Sequence, residues 1–460
     1  MVSASIVWFR DDLRLADNPA LRRALDRGEP IIGLYVLDEE SPGVRPLGGA
    51  ARWWLHGSLA SLGARLGDAG SVLVLLRGAA RDVVPAFAAE VGAGAVFWNR
   101  RYGGPERAAD TDVKAQLREA GLEAESFAGS LLFEPWTITT GQGTPFQVFT
   151  PFWNAARALP APRAPLPEPR EIAGPRAHPA SDPLDGWGLL PSDPDWADGL
   201  RETWEPGEPA ARARLRAFVS DDLDDYDAAR DEPAAGVTSG LSPRLRWGEL
   251  SPFEVWHAAT APAEGARGSK RAEAAARFLS ELGWREFAWH TLFHNPDLAT
   301  KNLRPAFDAF PWPRVKPTHL AAWQRGQTGV PLVDAGMREL WTTGVMHNRV
   351  RMVAASFLIK NLLIDWRRGE EWFWDTLVDA DAASNPFNWQ WVAGSGADAA
   401  PYFRVFNPEL QAKKFDPHGE YIGRWAPEYR DADAARPEPL VDLAETRRRA
   451  LDAYDTMRRA

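Results

Sequence analysis

The sequence predicts a mixed fold: an α/β unit built on a parallel sheet, then a long linker, then a larger all-α unit. Three observations predict it. Up to about residue 132, short β-branched or apolar runs alternate with helical stretches. A Pro- and Ala-rich tract then interrupts all periodicity. From about residue 210, apolar residues recur at three- and four-residue spacing almost to the end.

Taken in order, the runs SIVWFR, PIIGLYVLD, SVLVLLRG and AVFWNR read as strands, with helices expected at 20–27, 50–66, 82–91 and 108–120. Strands separated by helices of this length form βαβ units around a parallel sheet. Asp17-Asn18-Pro19 places a capping residue and a Pro at the start of the first helix. Such sheets bind ligands at the carboxyl ends of their strands. The GxGxxG pattern is missing, which argues against a standard dinucleotide site in this unit. The tract PAPRAPLPEPREIAGPRAHPASDP has no helical period and reads as a partly extended spacer. The expected division is therefore 1–132 for the α/β unit, 133–209 for the linker and 210–460 for the helical unit.

Composition narrows the chemistry. With no Cys among 460 residues, disulfides, thiolate zinc sites, iron–sulfur clusters and a Cys nucleophile are excluded. The start, MVSASIVWFRDDLR, does not read as a signal peptide, and no apolar run approaches the length of a membrane span. A cytoplasmic location is the expectation. The net charge of −10 argues against indiscriminate coating of nucleic acid, although a local basic groove is compatible with it. The outlier is 22 Trp, a bulky, stacking and redox-active side chain.

The chain is organised around 333–391, where polar groups and indoles accompany strong apolar periodicity. Asn348 and Met352 lie four apart, with Arg349 and Arg351 on adjacent faces; these groups need either a polar ligand or a structural network. Asp379, Asp381 and Asn385 lie in a polar turn. They suit hydrogen bonding to a heterocycle or ribose, or simple capping, and without a third ligand a metal is the weaker choice. Thr238, Ser239, Gly240, Leu241 and Ser242 form a small-residue turn before Pro243, with Ser242 expected at the N-cap. This is either a plain cap or an anion cradle suited to a diphosphate. Glu281, Trp284 and Arg285 share one helix face, either as an internal ion pair with a core Trp or as a binding face. Trp312, Trp366 and Trp389 sit on three separate segments, where core packing is the plain explanation.

At this point the chain resembles the DNA photolyases of the photolyase/cryptochrome family over essentially its full length. The resemblance is carried, in order, by VWFRDDLRLADNPAL, TSGLS, ELGWREF, MHNRVRM, LLIDWR, NWQW and DAAPYFRVFNP. GGAARWWLH and LFEPW resemble the class III branch, near plant cryptochromes. Asn385-Pro386-Phe387-Asn388 stands where many members specific for the cyclobutane dimer carry two Gly, and Val345 where Trp is frequent.

The resemblance implies a Rossmann-like antenna domain, a linker and a helical domain holding FAD, and light-driven repair of cyclobutane pyrimidine dimers by electron transfer from excited reduced FAD. It places Tyr226, the Thr238–Ser242 turn, Phe278, Arg285, Asn348, Arg351, Asp379, Asp381 and Asn385 around FAD, with Asn385 facing the flavin N5 region. Glu281, Trp284, Asn348, Met352 and Trp391 match lesion contacts, and Arg230 and Arg349 match DNA-backbone contacts, joined by Trp284 and Trp391. Trp389, Trp366 and Trp312 match the inner, middle and outer members of an electron-transfer chain. Glu106 matches an antenna position. It implies 5,10-methenyltetrahydrofolate first and 8-hydroxy-5-deazaflavin second, although Pro105 replaces the neighbouring Asn. UV-damaged DNA is the implied partner of a monomer, with no membrane. The alternatives are a cryptochrome photoreceptor without repair and a (6-4) photolyase. The latter usually carries paired His where this chain has His347-Asn348.

Overall fold

Period-two alternation in the first strand decides the first layer. In the computed structural model, which describes residues 3–261, 269–399 and 403–459, β1 (Ala4–Phe9) sends Ile6 and Trp8 to one face and Val7 and Phe9 to the other, and all four are buried. Both faces are covered, so the strand reads as an unbroken apolar run. The chain continues through α1 (Pro19–Asp26), β2 (Ile31–Leu37), α2 (Gly49–Asp68), β3 (Leu73–Arg77), α3 (Ala80–Glu90), β4 (Ala93–Asn99), α4 (Gly104–Glu119) and β5 (Glu123–Phe127). All strands are parallel, in the order β3-β2-β1-β4-β5. Asn18 caps α1 as expected, accepting from the Leu21 N–H. A fifth strand, EAESF, adds to the four that the apolar runs predict. It lies at the sheet edge and carries Glu123 and Glu125, which make it look like a loop.

Within 133–209 the chain is largely irregular, but it includes α5 (Phe149–Ala158) and the short α6 (Asp198–Thr203). α5 belongs to the helical core. Phe149, Phe152 and Trp153 pack with Phe287 and Phe387, and a Cβ at Gly283 would collide with the Trp153 ring, so Gly283 sets that close approach.

The helical part runs α7 (Glu208–Ala217), α8 (Leu223–Ala229), α9 (Ser242–Arg246), α10 (Pro252–Thr260), α11 (Lys270–His294), α12 (Pro317–Gln324), α13 (Pro331–Thr343), α14 (Asn348–Ser356), α15 (Trp366–Thr376), α16 (Ser384–Ala393), α17 (Pro408–Phe415), α18 (Glu420–Trp425) and α19 (Leu443–Arg459). Ala400, Pro401 and Tyr402 of the DAAPYFRVFNP segment lie outside the described residues. Ser242 does not cap α9. The cap is Leu241, and the Ser242 hydroxyl is engaged elsewhere.

The two parts are joined by buried polar contacts. Glu249, fully buried, pairs with Arg244 at 2.8 Å and accepts from Trp54 Nε1, Ser58 Oγ and the Gly207 N–H. One carboxylate thus ties α2, the linker and α9 together.

Candidate functional site

Three elements converge on Asp379. Arg351 on α14 grips it with both terminal nitrogens, at 3.2 and 2.9 Å, and the Ser242 hydroxyl donates to Oδ2 at 2.7 Å. Arg351 Nε is spent on the Met346 carbonyl, which fixes the plane of the fork. Beside it, Arg214 holds the carbonyls of Thr238 and Ser239. The N–H groups of Thr238, Ser239 and Gly240 donate to no atom of the described residues. A turn with three free N–H groups meets the needs of an anionic group.

Asn385, at the first turn of α16, is 7 % exposed, and its Nδ2 donates to both the backbone carbonyl and Oε1 of Glu370. No donor among the described residues reaches its Oδ1. An under-satisfied acceptor and a free N–H turn together fit a ligand that carries both an N–H and a diphosphate, which FAD does. Tyr226 is buried edge-on against Phe278 at 5.5 Å. Burial, with Glu281 adding to it against the pull of Arg230, pushes the Tyr226 hydroxyl up to about 12. That hydroxyl stays a neutral donor, and it has no partner among the described residues.

Two expected site residues also carry structural contacts. Asp381 accepts from the N–H groups of Ala383 and Ser384 and so starts α16. Arg285 donates to the Ser130 carbonyl at 2.9 Å and lies beside Glu286, not Glu281.

The second set lies along α11, α14 and α16. Glu281 forms an ion pair with Arg230 at 2.5 Å, not with Arg285 from its own face. The Arg230 side chain is only 10 % exposed, and a phosphate reaching it would compete with Glu281. Arg349 is held by Asp231. Trp284 is half-buried and stacks on Phe149 with ring centres 3.8 Å apart. Trp391 donates to the Asp398 carbonyl at 3.2 Å, and Met352 lies beside the Arg349 guanidinium. Asn348 is exposed and its side chain has no partner among the described residues, so the expected need for a structural network does not arise there. His347 joins these pieces. Its Nδ1 accepts from the Arg349 N–H and its Nε2 faces the Arg230 carbonyl at 3.0 Å. A carbonyl only accepts, so the ring is the neutral Nε2–H tautomer.

Trp366 and Trp389 are buried members of one apolar cluster, and half-buried Trp312 packs against it. A Cβ at Gly369 would run into the Trp389 ring, so Gly369 seats that indole against the helix Trp366 begins. Trp366 Nε1 donates to Asn302.

At the carboxyl ends of β1, β2 and β4 a cavity opens against α9, α11 and α15. Its lining includes Arg10, Asp38, Arg101, Glu106, Arg246 and Trp289. It lies where parallel sheets bind ligands. Sequence reasoning found Glu106 but missed Arg246, which holds Asp11 and the Ala380 carbonyl. It also missed Arg45 and Glu370, which lie in a Pro/Gly loop and a charged helix that carry no motif of their own.

Fold and site together define a flavin-binding class of protein: a parallel α/β sheet docked on a helical unit whose free N–H turn, Arg–Asp fork and open Asn suit FAD. Residues 5–170 match the family described as DNA photolyase, and residues 278–436 match the FAD binding domain of DNA photolyase. The deoxyribodipyrimidine photo-lyase of Agrobacterium fabrum is 48 % identical over 99 % of this chain and 98 % of its own. Cryptochrome-1 of Arabidopsis thaliana is 37 % identical over 92 % of this chain and 63 % of its own. The crystal structure of a bacterial class III photolyase from Agrobacterium tumefaciens superposes with a TM-score of 0.95 at 46 % identity, covering 100 % of this chain and 98 % of that one. The chain belongs to the photolyase/cryptochrome family. Among the described residues no helix is long and apolar enough to cross a membrane.

Proposed function

We propose that the protein is a deoxyribodipyrimidine photo-lyase that repairs cyclobutane pyrimidine dimers in UV-damaged DNA. The observation that carries this reading is the double use of α14. Arg351 is locked to Asp379 on the FAD side, while Asn348, at the start of the same helix, is exposed and unpartnered. One helix can therefore touch cofactor and substrate at once. The division into an α/β antenna domain, a linker and a catalytic helical domain belongs to the same proposal.

Bound and reduced, FAD supplies the photoexcited electron that splits the dimer. The residues do the rest. The Thr238–Ser242 turn and Tyr226 hold the diphosphate, and Asp379 and Arg351 fix the heterocycle. Enzymes that act on a base, photolyases among them, take it out of the stack, more easily where the lesion already weakens pairing. Trp284, backed by Phe149, and Trp391 offer apolar surfaces to the flipped bases. A DNA phosphate competes for Arg230, and the released Glu281 turns to the dimer and stabilises the charge it acquires. Asn348 and Met352 complete the pocket, and Arg349 adds a phosphate contact. Trp312, Trp366 and Trp389 pass electrons inward to FAD.

For the second chromophore, Glu106 and Arg101 offer an acceptor and a cation in one cavity. They suit the donor edge and acidic tail of 5,10-methenyltetrahydrofolate better than 8-hydroxy-5-deazaflavin.

The test is direct. Reduced holoprotein is irradiated with blue light in the presence of a thymine-dimer oligonucleotide. Recovery of thymine absorbance is expected, and no recovery with reduced FAD bound would refute repair and leave the photoreceptor reading. Binding to that oligonucleotide is expected to weaken as salt rises, since phosphate contacts release counterions.

A further inference from the structure

The Asn385 amide has two possible orientations, and the choice decides whether a carbonyl or an NH2 faces the ligand. Here both protons on Nδ2 are used by Glu370, one on its backbone carbonyl at 3.1 Å and one on Oε1 at 2.8 Å. The second contact requires Oε1 to act as an acceptor. A protonated Glu370 could instead donate to the amide oxygen and favour the reversed amide.

What keeps Glu370 an acceptor comes from the other part of the molecule. Arg45, in the loop between β2 and α2, grips Glu370 with a two-pronged fork, Nη1 to Oε1 at 2.7 Å and Nη2 to Oε2 at 2.9 Å. Oε1 is thus shared by Arg45 and Asn385. The Glu370 carboxylate is 2 % exposed. The fork is itself held from α15, since the guanidinium lies 4.2 Å from the Trp374 ring centre and Trp374 Nε1 donates to the neighbouring Pro46 carbonyl at 2.9 Å. Burial pushes the Glu370 carboxyl up and the charge of Glu371 adds to this, while Arg45 and the Asn385 hydrogen bond pull it down. Arg45 also lines the cavity that contains Glu106, so a ligand there would meet one end of this relay.

We propose that Arg45 is a positioning residue that acts across the domain boundary, fixing the amide of Asn385 through the carboxylate of Glu370 and so setting the redox balance of the bound flavin. This rests on the reading of Asn385 as flavin-facing.

The test measures the midpoint potential of FAD in the holoprotein against pH, for wild type, Arg45→Met, Arg45→Lys, Asn385→Ala and Arg45→Met/Glu370→Gln. Met keeps the stem packed on Trp374 and removes the fork. Arg45→Met is expected to add a pH-dependent step absent from wild type, changing the ratio of reduced to oxidised flavin at fixed applied potential by at least threefold across the step. Because Glu370 is the group that titrates, the step should vanish in the double variant and be largely suppressed by Arg45→Lys. A profile for Arg45→Met that matches wild type, while Asn385→Ala shifts the potential, would overturn the proposal and leave the site reading intact. If Asn385→Ala leaves the potential unmoved, the flavin-facing role of Asn385 fails and the proposal fails with it. Should Arg45→Met not retain flavin, Glu370→Leu carries the test: it offers the Asn385 amide no acceptor and must move the potential, and a wild-type value overturns the proposal.

Discussion

Single residues in this protein are tuned by what they are denied as much as by what they touch. His347 has a carbonyl on Nε2 and an N–H on Nδ1, so protonation would break the second contact. Burial pushes it down to about 4, helped by Arg230 and Arg351 and opposed by its bond to the Arg230 carbonyl. An unfolded His titrates near ~6.5. Between those values the unfolded chain binds a proton that the folded chain refuses, so this residue costs stability as pH falls from about 6.5 toward 4. Chemical-denaturation midpoints of wild type and His347→Gln, compared along that window, should differ by an amount that changes with pH. A constant difference would show that His347 does not titrate there. Glu281 is tested at the same scale. Glu281→Ala should lower repair per absorbed photon by roughly tenfold, less than the ~10²–10³ lost with a dedicated oxyanion donor, with FAD still bound. An undiminished yield would remove its role.

At the scale of elements, the contact between α15 and α16 depends on one missing methyl group. Gly369→Ala forces Trp389 away from α15, and overpacking of this kind costs about 1–3 kcal/mol. Thermal unfolding should show the loss, and photoreduction of oxidised FAD should slow because the indole is displaced from its proposed electron-transfer position. Trp389→Phe should slow photoreduction without the strain and leave repair by chemically reduced protein largely intact. Elements were also where the sequence was most readable. Four of the five strands and all the long helices follow from apolar period, because buried faces impose it. β5 escaped because an edge strand tolerates Glu123 and Glu125. Asp379 and Arg351 could be found because polar groups amid apolar period need partners, and the structure joins them. Arg285 shared a helix face with Glu281, yet its partner is Ser130, far away in sequence. Side-chain direction within a face depends on what the fold brings opposite, and spacing alone does not contain that. Arg45 and Glu370 were unreadable for the same reason, since they lie 325 residues apart and meet only across the boundary between the two parts.

For the whole molecule the question is how the two parts act as one, given that Trp247 and Val378 of the helical part already pack into the apolar cluster around Phe9 and Trp54. The net charge of −10 gives no general adhesion to DNA, so function depends on holding a few cations at fixed places. That requires the α/β part, the linker and the helical part to keep their registration. Glu249 is one such tie, since it receives donors from α2, from Gly207 and from Arg244, itself only 4 % exposed. Removing one member of such a pair leaves the other charge buried and unmatched, a loss of about 3–5 kcal/mol. Glu249→Ala should therefore destabilise by that order. It should also split a single calorimetric transition into two, as the α/β part gains the freedom to melt on its own. Arg244→Met/Glu249→Met removes both charges and should recover much of the loss, because apolar replacement of a buried pair is often close to neutral. If the double variant is as unstable as Glu249→Ala, the important contacts are those to Trp54, Ser58 and Gly207 and not the ion pair. If Glu249→Ala unfolds in one unshifted transition, the parts are held together by their apolar surfaces and this carboxylate is not the tie.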